Sequence, residues 1–170
     1  MVSSVALLLI CFPFGALQGA YQTFAKVKLP NEKLIKVKEG LNETLQYYQV
    51  QKFGQPLYFR LVTNNFSMSG NDFAGQRYMK LYAYFAYIFN RDITDVLQIS
   101  YGVGSTAEAI SQFDSLQHFD VVDISEDILQ LSAIIHAATG VFPLKDKRTE
   151  VHLEDGRFFL QTTQRQYDLI

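Results

Sequence analysis

The sequence predicts an α/β fold in which a small antiparallel β-subdomain precedes a parallel sheet with helices on both faces. From Asp95 onward, short apolar runs typical of buried strands alternate with helical segments. Before that point, residues 26–71 alternate apolar with polar residues and are interrupted by Gly and Asn, a pattern typical of antiparallel hairpins. The 170 residues are enough for about one domain with a buried core.

Composition excludes several classes of partner and ligand. The 15 Lys and Arg residues against 17 Asp and Glu leave no basic excess, so we predict no nucleic-acid partner. The single cysteine, Cys11, excludes an intrachain disulfide. His118, His136 and His152 are far apart and show no metal-ligand spacing, so we predict no metal site.

The N-terminal residues 1–25 are strongly apolar but are interrupted by Pro13 and Gly15. Their length is marginal for a membrane span, which needs about 20 apolar residues. Two interpretations remain: a membrane-associated segment that places the domain on the cytoplasmic face, or a buried core helix of a cytoplasmic protein. Lysines directly follow the segment and favour the first interpretation: Lys26, Lys28, Lys33, Lys36 and Lys38.

The β-subdomain is expected to contain three or four strands, from the runs LIKVKEG, TLQYYQVQ and PLYFRLV. The second predicted domain, residues 72–170, opens with a helix over 72–89 whose apolar residues follow helical spacing. Asp72 is the expected N-cap of that helix.

A βαβ unit between Asp95 and Ser125 carries the chemistry. The run DVLQIS is a strand, Gly102-Val103-Gly104 is a turn, a helix follows, and FDVVDIS is a second strand. The pattern G-x-G-x-x-A matches the Rossmann-like nucleotide fingerprint, although a tight turn that needs small residues explains the glycines equally well.

Two acids narrow the ligand class. Asp123 ends the second strand about 20 residues after the first glycine, where a carboxylate meets ribose hydroxyls. Asp155-Gly156 ends a third strand, where the acid can accept a hydrogen bond from an adenine amino group, and Phe158 or Phe159 can pack on the base. This set favours an adenosine sulfonium held without a pyrophosphate.

The last helices and strands complete the alternation. We predict one helix over Ser125–Ala138, a strand from Thr149, and a short helix after Gly156. The final residues YDLI, Tyr167–Ile170, open another buried strand, and the chain stops inside it. We therefore expect this chain to be a fragment of a longer protein.

The ordered motifs YYQV, LVTNNFSMS, ISYGVGSTAEA, VVDISEDIL, VHLEDGRFFL and YDLI resemble those of the spermidine/spermine synthases, the polyamine aminopropyltransferases. The resemblance covers roughly residues 38–170 and is greatest to the membrane-fused branch. It implies a class I methyltransferase-like fold, truncated at the C-terminus. It also implies transfer of an aminopropyl group from decarboxylated S-adenosylmethionine to a polyamine amine, with release of methylthioadenosine and without a metal.

The resemblance also implies roles for individual residues. Asp123 stands where the family has a ribose-binding Glu in its V-E-I-D motif, and Tyr78 matches a substrate-binding Tyr in the family's D-E-x-x-Y-H-E segment. The residues implied to bind the donor are Gln46, Gly102, Gly104, Asp123, Asp155 and Gly156.

Departures from the family pattern leave the acidic residues that bind the acceptor amine unassigned. Met79 and Lys80 stand where the family offers His and Glu, and its acidic pair is reduced to Asn71-Asp72. The Asp that deprotonates the attacking amine is expected beyond Ile170, so no catalytic residue is assigned. We expect a transferase as the complete protein, acting on an amine and forming a homo-oligomer. The alternatives are an S-adenosylmethionine-dependent methyltransferase, or a catalytically degenerate nucleoside- or polyamine-binding module beside a membrane transporter.

Overall fold

A computed structural model describes residues 10–11, 31–40 and 42–170. The first part is a four-stranded antiparallel sheet in the order β1-β2-β3-β4, which confirms the predicted hairpins. Asn64 and Asn65, both with positive φ, form the two-residue turn between β3 and β4, a conformation that Asn tolerates well. The strands are β1 (Glu32–Glu39), β2 (Thr44–Lys52), β3 (Gln55–Thr63) and β4 (Phe66–Gly70).

Helix α1 (Phe73–Phe89) follows the sheet, as predicted. The Asp72 side chain caps it by accepting hydrogen bonds from the backbone N–H groups of Ala74 and Gly75. In the part of the chain that the structure describes, no helix is long and apolar enough to cross a membrane. The prediction for residues 1–25 falls outside the described residues, apart from positions 10 and 11.

The second sheet is parallel, in the order β5-β6-β7, and supports the predicted α/β architecture. Its strands are β5 (Asp95–Ile99), β6 (His118–Asp123) and β7 (Thr149–Leu153). The predicted final strand is present as a single parallel bridge between Val96 and Leu169, where the Leu97 N–H donates to the Leu169 carbonyl at 2.9 Å. β5 therefore lies between this C-terminal segment and β6.

Four further helices connect these strands: α2 (Ser105–Ile110), α3 (Glu126–Leu131), α4 (Ala133–Thr139) and α5 (Gly156–Thr162). The single helix predicted over residues 125–138 is divided in two at Ser132. The Ser132 hydroxyl donates to the Leu129 carbonyl at 2.7 Å, a backward bond that bends helices. Ser125 caps α3, because its Oγ accepts from the Ile128 N–H.

One hydrophobic core spans both sheets. Side chains from β2 and β3 and side chains from the parallel sheet belong to the same buried cluster, which fixes the antiparallel sheet against the glycine turn. Because the two parts share one core, the structure shows no separation between them at residues 71 and 72. The domain boundary predicted there stays a prediction. The core residues that join them include Leu45, Tyr47, Phe59, Leu61, Val96, Tyr101, Val103, Phe119 and Val121.

Candidate nucleoside-binding site

The turn that follows β5 reverses the chain within five residues. Ser100, Gly102 and Gly104 all have positive φ angles, of 72°, 59° and 76°. The Ser100 N–H donates to the Val122 carbonyl at 2.8 Å, so the turn begins at the carboxyl edge of the parallel sheet. Ligands of open α/β sheets bind at this edge, and the turn therefore lies where the βαβ pattern predicts.

Neighbouring side chains leave little room for a side chain at Gly102 or Gly104, and the sequence did not predict these contacts. A Cβ at Gly104 would lie 2.6 Å from His136 Nε2 and from the Tyr101 hydroxyl, and a Cβ at Gly102 would lie 3.2 Å from Ser69 Oγ on β4. The space beside each glycine is thus partly filled by other side chains of the protein. The predicted contact of Gly102 and Gly104 with a ligand stays a prediction.

Asp123 joins the glycine turn to the end of β6. Its Oδ2 accepts from the Tyr101 N–H at 2.7 Å, and its Oδ1 accepts from the Ser125 N–H at 2.8 Å. Each carboxylate oxygen has a second lone pair that can accept a further hydrogen bond. The structure therefore brings Asp123 and the glycine turn together, with the acid held in one orientation and 5% exposed. Its contact with a ribose stays a prediction.

Asp155 and Gly156 lie at the start of α5. Asp155 caps this helix, because its Oδ1 accepts from the Arg157 and Phe158 N–H groups at 2.9 and 3.0 Å. Neither capping bond involves Oδ2, and the side chain is exposed. Gly156 packs so closely on the Ile99 side chain that a Cβ there would overlap it. The helix cap and the predicted adenine contact can therefore use different oxygens of Asp155.

A cleft of about 430 Å³ lies between the β1–β2 turn and the start of α3. Ile124 and Leu153, at the ends of β6 and β7, present apolar side chains there that are 59% and 54% exposed. Of the two phenylalanines predicted to pack on a base, Phe158 is 54% exposed while Phe159 is buried in the core. The cleft is lined by Lys38, Glu39, Gly40, Asn42, Glu43, Ile124, Ser125, Glu126, Asp127 and Leu153.

Sequence reasoning missed two polar residues here: Glu43, which lines the cleft, and Tyr47, which is buried near Glu43 and Asp127. Tyr47 is fully buried, which raises the pKa of its hydroxyl, and the nearby carboxylates of Glu43, Asp123 and Asp127 raise it further. Among the described residues, the Tyr47 hydroxyl and Glu43 Oε1 have no hydrogen-bond partner. Both atoms are shielded from solvent, and because buried polar atoms are normally paired, these two are exceptions.

Gln46 lies on the other face of the antiparallel sheet. Side chains alternate along β2, so Leu45 and Tyr47 enter the shared core while Gln46 points away from it. Its amide donates to Asn65 Oδ1 at 3.0 Å and accepts from the Tyr48 hydroxyl at 2.7 Å. The structure does not bring Gln46 to the glycine turn. Alternation along β2 puts Gln46 and Tyr47 on opposite faces of the sheet, but it does not tell which face enters the shared core.

Residues on the expected acceptor side have structural partners. Tyr78 is 49% exposed on α1, with its ring edge-on to Tyr82. Lys80 pairs with Glu108 of α2 at 2.9 Å, and the Thr106 hydroxyl donates to the Met79 carbonyl at 3.2 Å. The two family departures therefore fasten α1 to the helix that follows the glycine turn.

Asp168 is the last acid of the sequence. It contacts the amino end of β5, whereas the glycine turn follows the carboxyl end of that strand. Its Oδ2 accepts from the Thr94 and Asp95 N–H groups at 2.8 and 3.1 Å, at the amino end of that strand. These bonds lower the pKa of the Asp168 carboxyl. The glycine turn lies at the opposite, carboxyl end of β5, so Asp168 is not placed to act as a base there.

The antiparallel sheet and the parallel sheet with its helices define the class of protein: an α/β protein with a methyltransferase-like sheet. The sequence model of the Spermine/spermidine synthase domain matches residues 75–170, more than half of the chain. The chain belongs to the spermine/spermidine synthase family.

Individual relatives agree with this assignment. A polyamine aminopropyltransferase of Lachnoclostridium phytofermentans is 34% identical over 79 residues, which are 46% of this chain and 28% of that protein. A polyamine aminopropyltransferase of Lachnospira eligens is 24% identical over 154 residues, 86% of this chain and 52% of that protein. The chain thus spans about half of this relative's length.

Solved structures show the same fold. Spermidine synthase from Thermotoga maritima matches with a TM-score of 0.68 at 13% identity, over 81% of this chain and 46% of that one. A spermidine synthase in complex with the transition-state analogue AdoDATO matches equally well, with a TM-score of 0.68 over 45% of its length.

Proposed function

We propose that this chain forms the donor-binding part of a polyamine aminopropyltransferase. The ligand is the adenosine portion of decarboxylated S-adenosylmethionine, and the complete protein transfers its aminopropyl group to an amine. The observation that carries the proposal is the cleft beside Asp123, built from the ends of β6 and β7 and the β1–β2 turn, in a chain that belongs to the synthase family.

Each part of the cleft suits one part of the nucleoside. Glu43 lines the cleft, and Asp123 directly precedes the lining residues Ile124 and Ser125. Their carboxylate oxygens suit the ribose hydroxyls, because such charge-assisted hydrogen bonds are about twice as strong as neutral ones. Ile124, Leu153 and Phe158 offer exposed apolar surface to the adenine ring. The sulfonium carries a positive charge, which the carboxylates of this edge attract.

The reaction is a direct displacement at carbon. The acceptor nitrogen attacks the aminopropyl carbon next to sulfur, the carbon–sulfur bond breaks, and methylthioadenosine leaves with the bonding electrons. The new ammonium group loses its extra proton to a base. We propose that a carboxylate that is not among the described residues accepts this proton.

The methyltransferase alternative differs in its donor, which keeps the carboxylate of S-adenosylmethionine. The cleft residues Glu39, Glu43, Glu126 and Asp127 are acidic and repel a further carboxylate, with Lys38 as the compensating charge at 3.5 Å from Asp127. This charge balance favours the decarboxylated donor. The degenerate-module alternative rests on Met79 and Lys80, and the charge of Lys80 is paired with Glu108.

Calorimetry with methylthioadenosine tests donor binding. Asp123→Ala is expected to weaken binding about tenfold to a hundredfold, since a hydrogen bond to a charged group contributes about 1.5–3 kcal/mol. Ile124→Ser removes exposed apolar surface without touching the core and is expected to weaken binding severalfold. Phe53→Ser is the matched control, because Phe53 is 95% exposed at the far end of the β2–β3 hairpin.

Equal affinity in all three variants, or no binding by the unmodified chain, would refute the donor site. The transfer itself requires the complete protein. Incubation with decarboxylated S-adenosylmethionine and putrescine is expected to release methylthioadenosine, and tighter binding of S-adenosylmethionine than of its decarboxylated form would support the methyltransferase instead.

We also propose that the protein acts at the cytoplasmic face of a membrane, as a homo-oligomer. The apolar residues 1–25 and the lysines that follow them support the location. Detergent-dependent solubility of the full chain, lost when residues 1–23 are removed, would support it; solubility without detergent in both forms would argue for a cytoplasmic protein. Light scattering of the same samples gives the oligomeric state.

A further inference from the structure

Tyr101 stands in the middle of the glycine turn, yet its side chain is buried in the protein. It is 4% exposed, and its hydroxyl lies 2.7 Å from Nε2 of His136, which is 2% exposed. The two rings meet edge to face, with centroids 6.1 Å apart. The turn is therefore tied through a side chain to helix α4, which lies outside the βαβ unit.

The backbone of the same residue makes two further bonds. The Tyr101 N–H donates to Asp123 Oδ2 at 2.7 Å, and the Tyr101 carbonyl accepts from the Gly104 N–H at 3.0 Å. Gly104 leaves room for the pair, because a Cβ there would overlap both Tyr101 and His136. One residue thus connects the turn, the acid of β6 and α4.

We propose that the Tyr101–His136 pair positions the glycine turn and Asp123 for the donor nucleoside. Both are positioning residues, since they are buried and act through Asp123 and the turn. A turn with three left-handed residues has no strong preference of its own for one conformation, and fixing it before binding improves affinity. The inference rests on the proposed function of the cleft.

The surroundings of His136 keep its imidazole neutral. Burial lowers its pKa, and Glu108 on α2 opposes that shift only in part. Its Nδ1 is buried with no hydrogen-bond partner in the described part of the chain, so a second ring proton would have no acceptor. The neighbouring groups are the Tyr101 hydroxyl and the Phe142 ring, whose centroid is 6.2 Å away.

Tyr101→Phe removes the hydroxyl and keeps the ring. We expect the Kd for methylthioadenosine to rise about fivefold, the equivalent of one ordinary hydrogen bond. The matched control is Tyr84→Phe, because the Tyr84 hydroxyl donates to Gln112 Oε1 at 3.2 Å, away from the turn. His136→Gln, which can place an amide group near the Nε2 position, should restore affinity relative to His136→Leu.

The pH profile separates positioning from mere structural support. In the unmodified chain, affinity is expected to fall as acid protonates His136, because the buried Nδ1–H then has no acceptor and the ring is driven out of its position against Tyr101. Tyr101→Phe, which uncouples the ring from the turn, is expected to flatten this fall. An unchanged Kd and pH profile in Tyr101→Phe, together with a loss of thermal stability equal to that of Tyr84→Phe, would overturn the proposal.

A second measurement needs no ligand and keeps the two proposals distinguishable. Amide hydrogen exchange reports directly on the N–H groups of Tyr101 and Gly104. Faster exchange of both in Tyr101→Phe but not in Tyr84→Phe would support the positioning role even if the unmodified chain fails to bind methylthioadenosine. That combination of results would refute the proposed donor site and leave the positioning role of Tyr101 and His136 supported. Unchanged exchange would overturn the positioning role.

Discussion

Gly104→Ala tests the packing of the glycine turn most sharply. Two effects add at this position. The backbone is left-handed, with a φ of 76°, and the new Cβ would lie 2.6 Å from both His136 Nε2 and the Tyr101 hydroxyl. Gly140, the residue after α4, offers a matched control, since its φ is 73° and nothing lies within 4 Å of its Cβ position.

The magnitude follows from separating these effects. A left-handed residue with a Cβ costs about 1–2 kcal/mol, and both variants share this cost. At Gly104 the overlap adds about 1–3 kcal/mol for overpacking, and the displaced Tyr101–His136 bond adds about 1 kcal/mol. We therefore expect Gly104→Ala to lower the free energy of unfolding by about 2–4 kcal/mol more than Gly140→Ala does.

Urea unfolding of both variants, followed by far-ultraviolet circular dichroism, measures this difference. In a chain of this size it corresponds to a melting temperature lower by roughly 4–16 °C. Gly102→Ala should fall between the two, because its Cβ would lie 3.2 Å from Ser69 Oγ. A difference below about 0.5 kcal/mol between Gly104→Ala and Gly140→Ala would refute the packing argument.

Two further predictions concern single residues. Ser100→Gly relieves a positive φ of 72° and is expected to raise the free energy of unfolding by about 0.5–1 kcal/mol; a loss of stability would contradict the strain. Asp120 is buried; burial by itself raises the pKa of its carboxyl, but hydrogen bonds from Tyr167 and His152, together with the His118 ring 3.0 Å away, outweigh burial and leave the pKa below its ordinary value. Its stabilising contribution is therefore complete above the ordinary carboxyl pKa and is lost as the pH falls through the lowered value. Asp120→Asn is expected to cost about 2 kcal/mol at neutral pH and to reduce the pH dependence of urea midpoints between about pH 2 and 5, whereas an unchanged slope would show that another carboxyl dominates.

The sequence by itself determined the order and kind of the main elements. Period-two alternation before residue 71 and the alternation of apolar runs with helices after residue 95 depend on neighbours in the chain, and the structure has these strands and helices. The capping roles of Asp72 and Ser125 are local in the same sense, since each acts within three residues of its own position. The position of Asp123 at the end of a strand followed from the same pattern.

Only the tertiary structure decided which side chains meet at the cleft. Tyr47 and Gln46 are neighbours in sequence, and the face that enters the shared core depends on how the antiparallel sheet packs on the glycine turn. The demand for glycine at position 104 comes from His136, 32 residues away, and the pairing of Lys80 comes from Glu108 on another helix. Such contacts join residues that are distant in the chain. A single sequence carries no local signal for them, because they stabilise the protein only after the distant segments have packed together.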